Sequence, residues 1–112
     1  MRVYVMTDLE GVSGVWSSEL QCFPTGREYD LARRLLTAEA NACVDGLLAG
    51  GATEVVVADG HGAGGLYFPD LHPQAVALIG RPIPPAWALD EQFHAYLVHD
   101  QAACSGMVRG SS

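Results

Sequence analysis

The chain has 112 residues, 49% of them hydrophobic and 17% charged, so it is long and apolar enough to fold around a core. Thirteen acidic residues against six basic ones give a formal net charge of −7, the opposite of the sign that a nucleic-acid-binding surface needs. This balance argues against a nucleic-acid partner and favours a cationic ligand, above all a metal ion.

Cysteine usage and hydropathy bear on the cellular compartment. Cys22, Cys43 and Cys104 are an odd number without paired spacing, which argues against a disulfide scaffold and for a reducing compartment. No apolar run reaches the length of a membrane span, and no secretory signal precedes the first predicted strand. We therefore expect a cytoplasmic protein without a membrane partner.

The first predicted element is a strand. The run from Val3 to Met6 is β-branched and aromatic, which is typical of a buried strand, and glycines at positions 11 and 14 provide turn residues after it. Two carboxylates, Asp8 and Glu10, stand one residue apart where the strand ends. Either they are solvated loop residues or they bind something positive.

A long helix is predicted after a loop over residues 11–24. Thr25 and Glu28 have the spacing of a capping box, and the helix is expected to end at Gly50. Apolar residues at steps of three or four predict its buried face, namely Ala32, Leu36, Ala40, Cys43 and Leu47. Glu39 lies beside that face, either as a solvated edge residue or as a residue that supports a functional group.

The rest of the chain completes a pattern of alternating strands and helices. Residues 54–58 predict a second buried strand, so the strand, helix and strand form a βαβ unit with parallel strands. Further predictions are a loop over 60–74, a strand over 75–79, a break over 81–85, a short helix over 86–92 and a strand over 95–98. The expected fold class is α/β, with an open, mostly parallel sheet and flanking helices in a three-layer, Rossmann-like arrangement.

Chemically active side chains follow several of the predicted strands. Open α/β sheets bind their ligands at the carboxyl ends of the strands, where Asp8, Glu10, Asp59, His61 and His99 would meet. Zinc accepts imidazole and carboxylate ligands together. Taken singly, each of these residues is common in a turn or in a structural role. Their coincidence favours a metal site built from Asp8, Glu10 and His61.

A second interpretation concerns the glycine-rich residues 60–65, which could cradle a phosphate group. Such loops open into a helix whose amino end meets the anion, but residues 66–69 are a poor helix start and no P-loop lysine is present. A phosphate- or nucleotide-binding module is therefore kept as a further alternative. His72 and His94 are expected to be surface residues.

These motifs resemble those of the zinc-dependent D-aminopeptidases of the dipeptide-transport-operon type, the M55 peptidases. The family's Asp-Met-Glu-Gly, Thr-Glu-Glu-Ala-Asn and Asp-Ser-His segments are matched in order by Asp8-Leu9-Glu10-Gly11, Thr37-Ala38-Glu39-Ala40-Asn41 and Asp59-Gly60-His61. The resemblance covers residues 1 to about 97. It implies hydrolysis of an N-terminal D-amino acid from short peptides and a homo-oligomer.

The resemblance also implies a two-zinc site, with Asp8 shared by both ions and with Glu10 and His61 on one of them. The family's second histidine ligand has His99 as its candidate counterpart, at the cost of a three-residue gap. The family's catalytic histidine falls near Gly110, which has no side chain, so the catalytic residues are unknown.

These departures divide the chain into two predicted parts. Residues 1–98 are expected to form an N-terminal α/β metal-binding domain, and residues 99–112 a divergent tail from a truncated or frame-disrupted gene. We expect about one bound zinc ion and impaired turnover. The alternative hypothesis is a non-catalytic metal-binding or assembly fragment of the same fold.

Overall fold

An open parallel β-sheet organises the protein. The computed structural model describes residues 1–80 and the backbone of residues 95–99. Its elements are β1 (Arg2–Thr7), α1 (Ser18–Gln21), α2 (Tyr29–Ala49), β2 (Glu54–Asp59), a 3₁₀ turn (Phe68–Asp70), β3 (Ala75–Leu78) and β4 (Ala95–His99). The strand order is β3-β2-β1-β4, and all three neighbouring pairs are parallel. The predicted fold class, an open parallel α/β sheet with flanking helices, is confirmed.

The two central strands set the position of the candidate site. β1 and β2 pair from Arg2 opposite Glu54 to Thr7 opposite Asp59, and Thr7 is also opposite His99 of β4. Three strands therefore end at one edge of the sheet, as the βαβ pattern predicted. The residues that follow β1 and β2 leave the sheet side by side.

Helix α2 covers one face of this sheet. Its buried residues Ala32, Leu36, Ala40 and Val44 recur every four positions and pack against the valines of β1 and β2. Ala32, Leu36 and Ala40 were predicted for this face. Cys43 and Leu47 are only partly buried, because the helical repeat places Val44 at the centre of the contact instead.

The predicted capping box is wrong. Glu28 is the N-cap of α2 and makes no side-chain capping hydrogen bond. The backbone amides of Glu28 and Tyr29 instead donate to the carbonyl oxygens of Leu20 and Gly26, at 2.9 and 3.2 Å. A Cβ atom at Gly26 would overlap the Leu20 carbonyl, so glycine permits this approach. Helix α1, a segment predicted to be a loop, supplies the competing acceptor, the Leu20 carbonyl.

The remaining predicted elements are confirmed where the structure describes them. The loop over 60–74 contains the short 3₁₀ turn, and β3 ends one residue before the predicted boundary. The short helix expected at 86–92 lies outside the described residues. Within residues 1–80 and 95–99, no helix is both long and apolar enough to cross a membrane.

Candidate metal centre

The ends of β1 and β2 bring together Asp8, Glu10 and His61. Each of these residues offers one ligand atom, and the three atoms lie within 4.8 Å of one another. The Nδ1 atom of His61 is 2.8 Å from Asp8 Oδ1 and 3.3 Å from Glu10 Oε1. The juxtaposition is the one expected from two adjacent parallel strands, whereas metal binding by these residues stays a prediction.

The orientation of His61 is fixed by a backbone carbonyl. Its Nε2 atom lies 2.5 Å from the carbonyl oxygen of Cys22. A carbonyl oxygen can only accept, so Nε2 carries the hydrogen and Nδ1 faces the two carboxylates. Histidines that bind metals commonly donate their other ring N–H in this way. The His61 side chain is only 7% exposed, while both carboxylates are open to solvent on one side.

The electrostatics of the cluster favour a bound positive charge. Burial raises the pKa of Glu10, and the hydrogen bond and negative charge of Asp8 raise it further. Burial alone would lower the pKa of His61, but the Cys22 carbonyl and the two carboxylates outweigh burial and raise it. Both groups therefore hold protons more tightly than usual. A metal cation would neutralise the same negative charge.

A buried carboxylate holds the loop that carries His61. Asp59 is 1% exposed and accepts hydrogen bonds from the backbone amides of His61 at 3.2 Å, Gly65 at 2.8 Å and Leu66 at 3.0 Å. Asp59 was expected at the sheet edge, but this role was not predicted. Its position two residues before His61 is the spacing of an Asx turn, and that spacing could have suggested it.

The same hydrogen bonds oppose the phosphate-loop alternative. A phosphate-binding loop presents free backbone amides to an anion, but here the amides of Gly65 and His61 already bind the carboxylate of Asp59. The amide of Gly64 donates to the His61 carbonyl. The protein's own carboxylate thus stands where a phosphate would have to bind.

Helix α2 also fixes the loop after β1. The Oε2 atom of Glu39 accepts a hydrogen bond from the backbone amide of Ser13 at 2.9 Å. Ser13 lies three residues after Glu10, so this bond ties the acidic loop to the helix. Of the two interpretations of Glu39, the contact favours support of the functional loop.

Two other residues of α2, Thr37 and Asn41, hold the loop after β2. The Thr37 hydroxyl accepts from the Tyr67 amide, and the Asn41 side chain accepts from the His72 amide, each at 2.8 Å. The His72 ring donates through Nε2 to Asp45 at 2.7 Å, because its Nδ1 accepts from a backbone amide. His72, expected at the surface, is partly buried and serves as a structural link.

The other candidate residues are described only in part. The backbone of β4 ends at His99, opposite Thr7, so this residue reaches the sheet edge where the metal-ligand candidates lie. Its role as a ligand stays a prediction. His94, Cys104 and Gly110 lie outside the described residues, and the domain boundary at residue 98 likewise stays a prediction.

Comparison with known proteins finds a matching family. A family model for D-aminopeptidases, peptidase family M55, matches residues 1–105. A D-aminopeptidase of Bacillus subtilis (strain 168) is 32% identical over 117 aligned positions, which cover 99% of this chain and 42% of the relative.

A solved structure is also similar. It is the Zn-dependent D-aminopeptidase DppA from Bacillus subtilis, described as a self-compartmentalizing protease, with 33% identity and a TM-score of 0.81. The match covers 88% of this chain and 36% of that chain, so the chain spans less than half the length of these relatives. Because the family model matches nearly all of its residues, the chain belongs to the D-aminopeptidase family, peptidase family M55.

Proposed function

We propose that this chain supplies the zinc-binding part of a D-aminopeptidase, with Asp8, Glu10 and His61 as the ligands of one ion. The observation that carries the proposal is the orientation of His61, whose Nδ1 faces both carboxylates while its Nε2 donates to the Cys22 carbonyl. The zinc dependence of the Bacillus subtilis relative supports the choice of metal.

The donor set fits zinc in both number and type. Three protein ligands that combine imidazole and carboxylate groups leave a position open for water, as catalytic zinc sites require. Bound zinc would polarise a peptide carbonyl and lower the pKa of a bound water molecule. The chain's own contribution is a buried imidazole of fixed orientation beside two carboxylates that solvent and substrate can reach.

The charge of the chain suits a peptide substrate. A free peptide amino end carries a positive charge, and a net charge of −7 with paired carboxylates at the site attracts cations. We extend the proposal to the whole enzyme, which would remove N-terminal D-amino acids from short peptides. The whole enzyme would also assemble with copies of itself, as the description of the relative as self-compartmentalizing suggests.

The test compares zinc content with turnover. We expect the purified chain to bind about one zinc ion and to hydrolyse D-alanyl peptides barely above the rate of the metal-free protein. Loss of a proton-transfer group typically lowers rates by about 10²–10⁴-fold, and the three ligand candidates among the described residues are too few to hold two zinc ions firmly. L-alanyl peptides serve as the control for configuration.

Three outcomes are distinguishable. Zinc binding with trace activity specific for the D-isomer supports the proposal. Zinc binding without any activity favours the alternative of a non-catalytic metal-binding or assembly fragment. Failure to bind zinc at all, measured by elemental analysis after dialysis, contradicts the proposal.

A further inference from the structure

Trp16 is an exposed aromatic residue on a tightly held loop. Its side chain is open to solvent, with 73% of the residue exposed. Its backbone amide donates to Oε1 of Gln21 at 2.7 Å, and the Ser17 amide donates to the same oxygen at 2.8 Å. The Nε2 atom of Gln21 donates to the Gly14 carbonyl at 2.9 Å. Gln21 itself is fully buried, so one internal amide group fixes the loop that presents this indole.

A cavity lies beside Trp16. Its volume is about 230 Å³, and its walls include Glu10, Val15, Trp16 and Cys22. The cavity is open to solvent on one side. A volume of roughly 150 Å³ is enough to hold benzene, so there is room here for a side chain as large as an aromatic ring. Besides the apolar groups of Val15 and Trp16, the walls carry the Glu10 carboxylate and the residues Ser17 and Ser18, and most of the exposed wall surface is polar.

Glu10 connects the cavity to the candidate metal centre. Its carboxylate is 3.3 Å from Nδ1 of His61 and also forms part of the cavity wall. A group that fills the cavity therefore lies beside the position proposed for zinc. Aminopeptidases place a single residue on the amino side of the cleaved bond, and the side chain of that residue is one carbon away from the reacting carbonyl.

We propose that this cavity receives the side chain of the peptide's N-terminal residue and that Trp16 is a specificity-determining residue. The ligand class is a short peptide whose first side chain is no larger than an aromatic ring and presents an apolar face to the indole. The indole would lie against this side chain. The inference rests on the proposed function, because it needs the reacting carbonyl at the metal centre.

The test uses free amino acids, which contain no peptide bond to cleave. D-phenylalanine and glycine are titrated calorimetrically into the zinc-loaded chain, and the ratio of their affinities isolates the side chain. We expect D-phenylalanine to bind more tightly to the wild type. Trp16→Ala should reduce the affinity ratio by about two- to tenfold, the size of one aromatic contact, and Trp16→Phe should retain most of it.

A matched control is Phe68→Ala, because Phe68 is also an exposed aromatic residue but does not line the cavity. Its affinity ratio should equal that of the wild type. Zinc content, measured on every variant, reports separately on the metal site. An unchanged ratio in zinc-loaded Trp16→Ala, or no binding of D-phenylalanine to the zinc-loaded wild type, would overturn this inference alone. A wild type without zinc would refute the proposed function and this inference with it.

Discussion

The imidazole of His61 donates its Nε2 hydrogen to the carbonyl oxygen of Cys22, at 2.5 Å. Cys22 is the C-cap of α1, so its carbonyl has no partner within the helix and is free to accept. A four-residue helix therefore decides which nitrogen of His61 faces Asp8 and Glu10.

Removal of Asp8 should abolish most zinc binding. Asp8→Ala deletes one of three ligand candidates and leaves Glu10 and His61 to hold the ion alone. The zinc-to-protein ratio, measured by elemental analysis, should fall well below that of the wild type. Glu19→Ala removes an exposed acid outside the cluster and should leave the ratio unchanged. Equal zinc content in Asp8→Ala and the wild type would show that Asp8 is not a ligand.

Zinc should stabilise the chain more at pH 8 than at pH 6. Burial lowers the pKa of His61, but the Cys22 carbonyl and the carboxylates raise it above its ordinary 6.5. In the metal-free chain, this raised pKa contributes stability that is fully present below pH 6.5 and is lost as pH rises through the folded-state pKa. Zinc competes with the proton on Nδ1, so its affinity rises over the same interval.

Thermal melts of metal-free and zinc-loaded protein measure this effect. The gain in Tm on zinc addition should be larger at pH 8. In His61→Asn, the gain should be small at both pH values, because the titrating ligand is missing. A wild-type gain that is the same at pH 6 and pH 8 would contradict zinc binding through Nδ1.

Asp59 should control zinc affinity without being a ligand. Asp59→Asn keeps the shape of the side chain but replaces one acceptor oxygen with a donor, which leaves an amide of the His61 loop unpaired. We expect zinc affinity to fall about 10–100-fold, as for other residues that orient a ligand. The free energy of unfolding should fall by about 1–3 kcal/mol.

The control for Asp59→Asn is Val44→Ala, which weakens the core contact between α2 and the sheet. This variant should lose stability but keep its zinc affinity, since Val44 is outside the metal-ligand cluster. Zinc titration is done at a temperature at which both variants are folded. Equal zinc affinities for the two variants would mean that Asp59 contributes only to stability.

The packing of α2 predicts a large difference between two leucines of the same helix. Leu36 is fully buried against the sheet, whereas Leu31 is exposed. Leu36→Ala should lower the free energy of unfolding by about 2–5 kcal/mol, because it leaves a cavity in the core. Leu31→Ala should change it by less than about 0.5 kcal/mol. Denaturant unfolding followed by circular dichroism gives both values, and similar losses would mean that the helix faces are assigned wrongly.

The sequence by itself determined the architecture and the approximate position of the candidate site. Apolar runs and a helical repeat of apolar residues are local signals, and a strand, helix and strand in this order predict parallel neighbours, because parallel strands need a long crossover connection. Parallel pairing of β1 and β2 places Asp8 and His61, which follow these strands, at the same edge of the sheet. The residues of this cluster were predicted for the same reason.

Only the tertiary structure decided how the site is held. Backbone groups make the contacts that the sequence did not predict. They are the Leu20 carbonyl that accepts from the Glu28 amide, the amides that donate to Asp59, and the Cys22 carbonyl that accepts from His61. Every residue carries a backbone amide or carbonyl, so such a group leaves no trace in the order of side chains. Cys22 and His61 are 39 positions apart in the chain. Their contact depends on how α1 packs beside the loop after β2, and that packing is a property of the folded chain as a whole.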